Sequence, residues 1–98
     1  MIIIRVKLDI KAEEIKTLLA YMKTEVQKVN AIDGCEIYAF HQNTNGSNKF
    51  LLYEEWRDMD SFDAYKNSDV FKQTMATLSP LMASKPDSAY YDSIKVGP

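Results

Sequence analysis

Cysteine and histidine are nearly absent from this chain, with one of each among 98 residues. A lone cysteine cannot staple a fold, which excludes a disulfide-dense secreted domain and suits a reducing cytoplasm. One Cys and one His also cannot supply the four N/S ligands of a structural zinc site. Basic clusters are missing as well. Lys+Arg number 12 against 14 Asp+Glu, for a net charge of −2, so neither nucleic acid nor an anionic membrane is an expected partner. No long hydrophobic run occurs. At the N-terminus Ile2-Ile3-Ile4 gives way to Arg5, too short for a membrane span or a signal peptide. Repeats, low-complexity tracts and linkers are lacking too. With 46% hydrophobic and 27% charged residues, the composition is that of one globular domain over residues 1–98. Two cores of half this length could not each bury enough surface.

Hydrophobic periodicity then orders the chain. Ile2 to Leu8 reads as a strand, with Ile2, Ile4, Val6 and Leu8 on one face and Ile3, Arg5 and Lys7 on the other. Between about Lys11 and Asn30 the period lengthens. Ile15, Leu18, Leu19, Met22, Val26 and Val29 form the apolar stripe of an amphipathic helix. Strands are predicted at Cys35–Gln42 and Asn48–Trp56, joined by Asn43-Thr44-Asn45-Gly46-Ser47, where the Asn-Gly pair tolerates positive φ and marks a hairpin. Asp58 or Ser61 can cap the next helical stretch, and Ser68 the one after it. Pro80 should stop or kink that second stretch. Ala89 to Val96 reads as a last strand with Tyr90, Ile94 and Val96 on one face. The order β-α-β-β-α-β predicts an α+β, ferredoxin-like antiparallel sheet with its helices on one face.

Such a sheet should be polar on its open side. Here Cys35, Ile37 and Ala39 alternate with Tyr38 and Phe40, and Phe50, Leu52 and Trp56 with Leu51 and Tyr53, so both faces carry apolar side chains. Leaving half a dozen of them wet would forgo on the order of 10 kcal/mol, comparable with the whole stability of a small domain. A homodimer joined through the open sheet face, forming a barrel-like core, is the expected remedy.

The block Gly34-Cys35-Glu36-Ile37-Tyr38, then Lys49-Phe50-Leu51-Leu52-Tyr53-Glu54-Glu55-Trp56, then Ser61-Phe62-Asp63-Ala64-Tyr65 and Asn67-Ser68-Asp69-Val70-Phe71 resembles the antibiotic biosynthesis monooxygenase family. That resemblance implies a dimeric α+β barrel. It also implies one of several chemistries, among them cofactor-free oxygenation of quinols or anthrones, haem degradation, and isomerisation of a sugar phosphate. Many oxygenase-like members carry a His where Tyr65 and Val70 stand here. Haem-degrading members carry a Trp at the position of Tyr65, an iron-ligating His at that of Met75, and an Asn in the first strand. None is present, so haem degradation is not expected.

Cofactor-free oxygenation needs a substrate anion that passes an electron to O₂, an apolar pocket, and a donor or two to hold the anion. Trp56, Tyr65, Tyr53 and Phe71 lie where the resemblance implies a pocket, with Leu52 and Phe62 as further walls. His41, whose ordinary pKa is near neutral, and Glu54, which shares the Trp56 face, are the candidate bases. Each also has a plain alternative: core packing for Trp56 and Tyr65, a surface position for His41, a charged strand edge for Glu54. Cys35 reads as a small buried hydrophobe. It lies about 20 Å along the strand from His41, which excludes a Cys–His pair. Asp58, Asp60 and Asp63 read as helix-start carboxylates rather than metal ligands. The expected activity is a cytoplasmic, cofactor-independent monooxygenase acting on a small aromatic polyphenol or quinol, without metal. The rivals are a binding or stress-response module without turnover, and an isomerase of a small phosphorylated carbonyl compound, which would need cations such as Arg57, Lys66 or Lys72 in the pocket.

Overall fold

Alternation at the N-terminus makes β1 (Ile2–Asp9) the centre of the sheet. The computed structural model, which describes residues 1–98, continues through a 3-10 turn (Ala12–Glu14) into α1 (Ile15–Asn30). Next come β2 (Cys35–Gln42), β3 (Lys49–Trp56), α2 (Met59–Lys66), α3 (Asp69–Leu78), a second 3-10 turn at Pro80 and β4 (Asp87–Asp92). All strand pairs are antiparallel in the order β2-β3-β1-β4, the ferredoxin-like arrangement. Ile4, Leu8, Phe50, Leu52, Tyr38 and Trp56 line one face of the sheet and pack on Leu18 and Val29 of α1, Phe62 and Tyr65 of α2 and Leu78 of α3. No helix is long and apolar enough to cross a membrane.

The short helices start where their caps allow. Asp58 accepts from the Ser61 N–H at 2.8 Å, and Ser68 from the Phe71 N–H at 3.2 Å. Asp58, not Ser61, is therefore the first cap. Ser61 instead packs against Gly34, whose φ of +90° is the feature that turns the chain into β2. The hairpin loop forms without positive φ at Gly46. It is closed by backbone bonds between Asn43 and Lys49 and between Lys49 and Gly46, with the Asn43 side chain accepting from the Asn45 N–H.

Three expectations need correction. The last strand runs from Asp87 to Asp92 rather than from Ala89 to Val96, because Asp92 already faces Ile2 and beyond it only Met1 and Ser93 can still exchange hydrogen bonds. Beyond it Ile94 and Val96 stand 89% and 91% exposed. A bulge between Cys35 and Ile37 turns Cys35 to the helix side opposite Trp56, so it does not share a face with Ile37, Ala39 and His41. Along α1, Leu19 is exposed and the stripe position at Glu25 is taken by a buried carboxylate, which the Thr74 hydroxyl of α3 reaches. The spacing Leu18, Met22, Glu25, Val29 is the one that faces the sheet.

The open face is mixed rather than uniformly greasy. Ile3, Ala39, Leu51 and Tyr53 are half-buried there and Ile37 and Tyr91 exposed, interspersed with Arg5, Lys7, His41 and Glu55.

Candidate functional site

Alternation along β3 decides which side chains can share a chamber. Phe50, Leu52, Glu54 and Trp56 turn toward the helices, while Leu51, Tyr53 and Glu55 turn away. Hairpin register then sets Tyr38 directly opposite Glu54 and Phe40 opposite Leu52, close enough for facing side chains to touch. Across from them, the caps at Asp58 and Ser68 aim one face of α2 and α3 at the sheet. That face carries Phe62, Tyr65, Phe71 and Thr74.

Between these layers lies a cavity of about 150 Å³, walled by Leu52, Phe62, Tyr65, Phe71, Met75 and others, with Glu54, Tyr38 and Thr74 as polar groups. Aromatic rings run along one wall. Tyr65 stacks on Trp56 at 4.9 Å and meets the Phe71 edge at 5.3 Å, and Phe62 meets Tyr90 at 5.3 Å.

Glu54 is the singular group. It is 4% exposed, and one carboxylate oxygen accepts a hydrogen bond from the Trp56 indole N–H at 2.9 Å. Burial pushes its pKa up to about 7, with the indole bond pulling the other way. A carboxyl titrating near neutrality is suited to take up and return a proton. Burial also holds the Tyr38 and Tyr65 phenols above their ordinary range, so both stay protonated at neutral pH. Tyr38 is 1% exposed, and its buried hydroxyl lies beside the Tyr65 phenol.

The structure thus brings Glu54, Tyr65, Leu52, Phe62 and Phe71 to one cavity. Trp56 stands behind that wall, fully buried, and touches the site through Glu54 and Tyr65. Tyr53 and His41 do not join them. Tyr53 points to the opposite side of the sheet, where its hydroxyl donates to Glu55. His41 is exposed on that same side, in a groove with Arg5, Lys7 and Lys49. The period-two pleat forbids either side chain from reaching the Trp56 face. Cys35 is half-buried with its thiol pushed up to about 11 by burial and by the charges of Glu54 and Glu36, which leaves it inert at neutral pH. No cluster of three His, Cys, Asp or Glu side chains is assembled, and no Lys or Arg lines the cavity.

Tyr38 and Thr74 escaped the sequence reading. The signal for Tyr38 was available, since counting back across the Asn43–Asn48 loop pairs it with Glu54. Thr74 carried no pattern of its own. It is placed by the cap at Ser68 and by its bond to Glu25.

Several solved structures share this architecture. A candidate antibiotic biosynthesis monooxygenase of Deinococcus radiodurans superposes with a TM-score of 0.90 at 19% identity, over 100% of this chain and 97% of that one. A second, from Nitrosomonas europaea, gives 0.89 at 16% identity, over 97% of this chain and 100% of that one. A conserved protein of Methanosarcina mazei Go1 gives 0.86 at 24% identity, over 92% and 89%. At these identities the likeness is one of fold. The uncharacterized protein sll1783 of Synechocystis is 24% identical over 85 residues, 87% of this chain and 57% of that protein, so the chain spans little more than half the length of the curated relative it matches. The profile of the family described as antibiotic biosynthesis monooxygenase matches residues 1–77, from β1 through nearly all of α3 and so across every residue named above as a candidate. The chain belongs to the antibiotic biosynthesis monooxygenase family.

Proposed function

We propose that the protein is a cofactor-independent monooxygenase acting on an aromatic polyphenol or quinol in the cavity between β3 and the α2–α3 pair. The observation that carries this reading is Glu54, a carboxyl buried among aromatic rings, held by the Trp56 indole and titrating near neutrality. In the proposed reaction Glu54 takes the proton of a ring hydroxyl, and the electron-rich anion passes one electron to O₂. The resulting pair joins at a ring carbon, and with a proton returned by Glu54 it becomes a hydroperoxide. Loss of water then breaks the O–O and C–H bonds and leaves a new carbonyl. For a simple hydroquinone the balance is quinol plus O₂ to hydroxyquinone plus water, all four electrons coming from the substrate. The apolar walls exclude water from the anion. Tyr65 supplies a hydroxyl that stays protonated and can donate to it.

Oxygen uptake by the purified protein with a panel of hydroquinones and anthrones tests the reading. Uptake that falls by about 10²-fold or more in Glu54→Gln is expected. No uptake above the buffer rate with any substrate would refute it. A ligand that raises the melting temperature and is recovered unchanged would favour the binding-module reading instead. The phosphorylated-carbonyl isomerase has little support from a cavity wall without cations.

We also propose that a second copy of the chain covers the open sheet face in the cytoplasm. Ile3, Ile37, Leu51 and Tyr53 form its apolar centre, and a two-fold contact buries the same patch on both copies. Sedimentation at tens of micromolar should give a dimer, and a monodisperse monomer would contradict this.

A further inference from the structure

We propose that the cavity is entered beside β4, through a gate formed by the Tyr90 ring and latched by Lys66 of α2. The inference rests on the cavity's admitting a small molecule, and not on the chemistry proposed for it.

The walls locate the gate. Ile4, Leu52, Glu54, Phe62, Tyr65 and Thr74 line the cavity and are all buried, whereas Ser88 and Tyr90 line it and are exposed. Both exposed residues belong to β4, an edge strand bonded to β1 alone. The Ser88 side chain is too short to close an opening. What stands between the cavity and solvent along this edge is the Tyr90 ring, which is 50% exposed. The buried rings offer no such route. Tyr65 stacks on Trp56 and meets Phe71, and in a close-packed interior it cannot turn without displacing both. Tyr90 can turn while its backbone stays paired with Ile4 of β1, so the sheet does not have to open.

Two contacts hold the ring shut. Tyr90 meets Phe62 edge to face, with centroids 5.3 Å apart and planes at 84°. Lys66, one helical turn beyond Phe62, sets its ammonium 5.5 Å from the centroid of each of these rings. Lys66 is half-buried and pairs with no carboxylate, so the two rings are what order it. Each contact favours the closed position by only about two- to tenfold. The gate is therefore open on the order of 5% of the time. Exposed side chains change rotamer within nanoseconds. Passage in either direction is then limited by the open fraction, a closed state being exchanged for a minor one.

Exchange of benzene tests the gate without calling on turnover. The cavity holds about 150 Å³, and an apolar cavity of about that volume admits one benzene ring. NMR line shapes give its association and dissociation rates. Tyr90→Ala should raise both rates about tenfold and leave Kd within about threefold, the signature of a barrier and not of a binding contact. Lys66→Met should raise both about threefold, and Lys66→Arg, which keeps a cation over the rings, should stay within about twofold of wild type. Unchanged rates in Tyr90→Ala, or a Kd that shifts through one rate alone, would overturn the proposal. So would a wild type that takes up no benzene. Met75→Ala opens a half-buried part of the wall on α3. If that variant speeds exchange and Tyr90→Ala does not, the path crosses α3 and the gate is refuted. Should Tyr90→Ala not fold, the Lys66 pair decides, equal rates in Met and Arg variants overturning the inference. Gated exchange of benzene in a protein that oxidises nothing would sink the monooxygenase reading and leave this one standing.

Discussion

Glu54 should make the stability of this protein fall as the solution turns from acid to neutral. Its pKa is 4.5 in an unstructured chain and about 7 in the fold, raised by burial. Below pH 4.5 the group is protonated in both states and has no effect on the balance. Between the two values the unfolded chain has released the proton and the folded one has not, so the native state loses ground with every pH step. Above pH 7 the loss is complete and constant. The difference of about 2.5 pKa units corresponds to about 3 kcal/mol, or about 1.5 M in a urea midpoint for a domain of this size. Glu54→Gln keeps an oxygen for the Trp56 indole and does not ionise. Urea titrations of both proteins from pH 4.5 to pH 8, at one fixed protein concentration, should show the variant gaining about 3 kcal/mol on wild type across the window. Asp9 and Asp58, whose pKa values are lowered by hydrogen bonds from Lys49 and from the Ser61 N–H, act only as pH falls below the ordinary carboxylate range. They do not blur the result. A gap that stays flat between pH 4.5 and pH 8 would refute the reasoning, because it would mean that Glu54 is as well solvated in the fold as in the open chain.

Other outcomes follow from single contacts. Trp56→Phe removes the hydrogen bond that holds the Glu54 pKa down, so the rise of oxygen uptake with pH should shift to the alkaline side, read from a pH–rate profile. Gly34→Ala drives a Cβ into the Ser61 side chain at a φ of +90°, and a thermal melt should report a loss of at least about 2 kcal/mol. Asp58→Ala and Ser68→Ala each remove a helix cap and should cost about 1 kcal/mol apiece in urea unfolding. His41→Ala alters a side chain on the far side of the sheet and should leave oxygen uptake within about twofold of wild type.

The strands, the long first helix and the Ser68 cap were legible because they depend on local pattern, whereas the second helical stretch divides into two helices and its first cap is settled for Asp58 over Ser61 only in the fold. Ile2 through Leu8 alternate, Leu18 through Val29 keep a helical period, and Asp58 and Ser68 stand just ahead of apolar stretches. Glu54 as a group on the Trp56 face was legible for the same reason. What the pattern could not deliver depended on breaks in it. The bulge after Cys35 reverses the facing of one residue, and nothing in Gly34-Cys35-Glu36 announces it. The end of β4 depends on where β1 begins, a fact of pairing and not of the segment itself. Glu25 occupies a stripe position that a hydrophobicity count reads as polar and therefore exposed, whereas the Thr74 hydroxyl of another helix makes its burial tolerable. Tyr53 lies close to Trp56 in sequence, yet the pleat sends it to the other side of the sheet, opposite Ala39.

β3 serves as a party wall, with consecutive residues answering to different rooms. Leu52, Glu54 and Trp56 set what happens inside, while Leu51, Tyr53 and Glu55 set what the molecule meets outside. A substitution at an outward position can therefore alter the open face without disturbing the inward set. Gaps in the strand have no such freedom. One inserted or deleted residue ahead of Glu54 would exchange the two sets at a stroke, turning the acid outward and an outer side chain into the cavity. Length here should prove far less negotiable than identity.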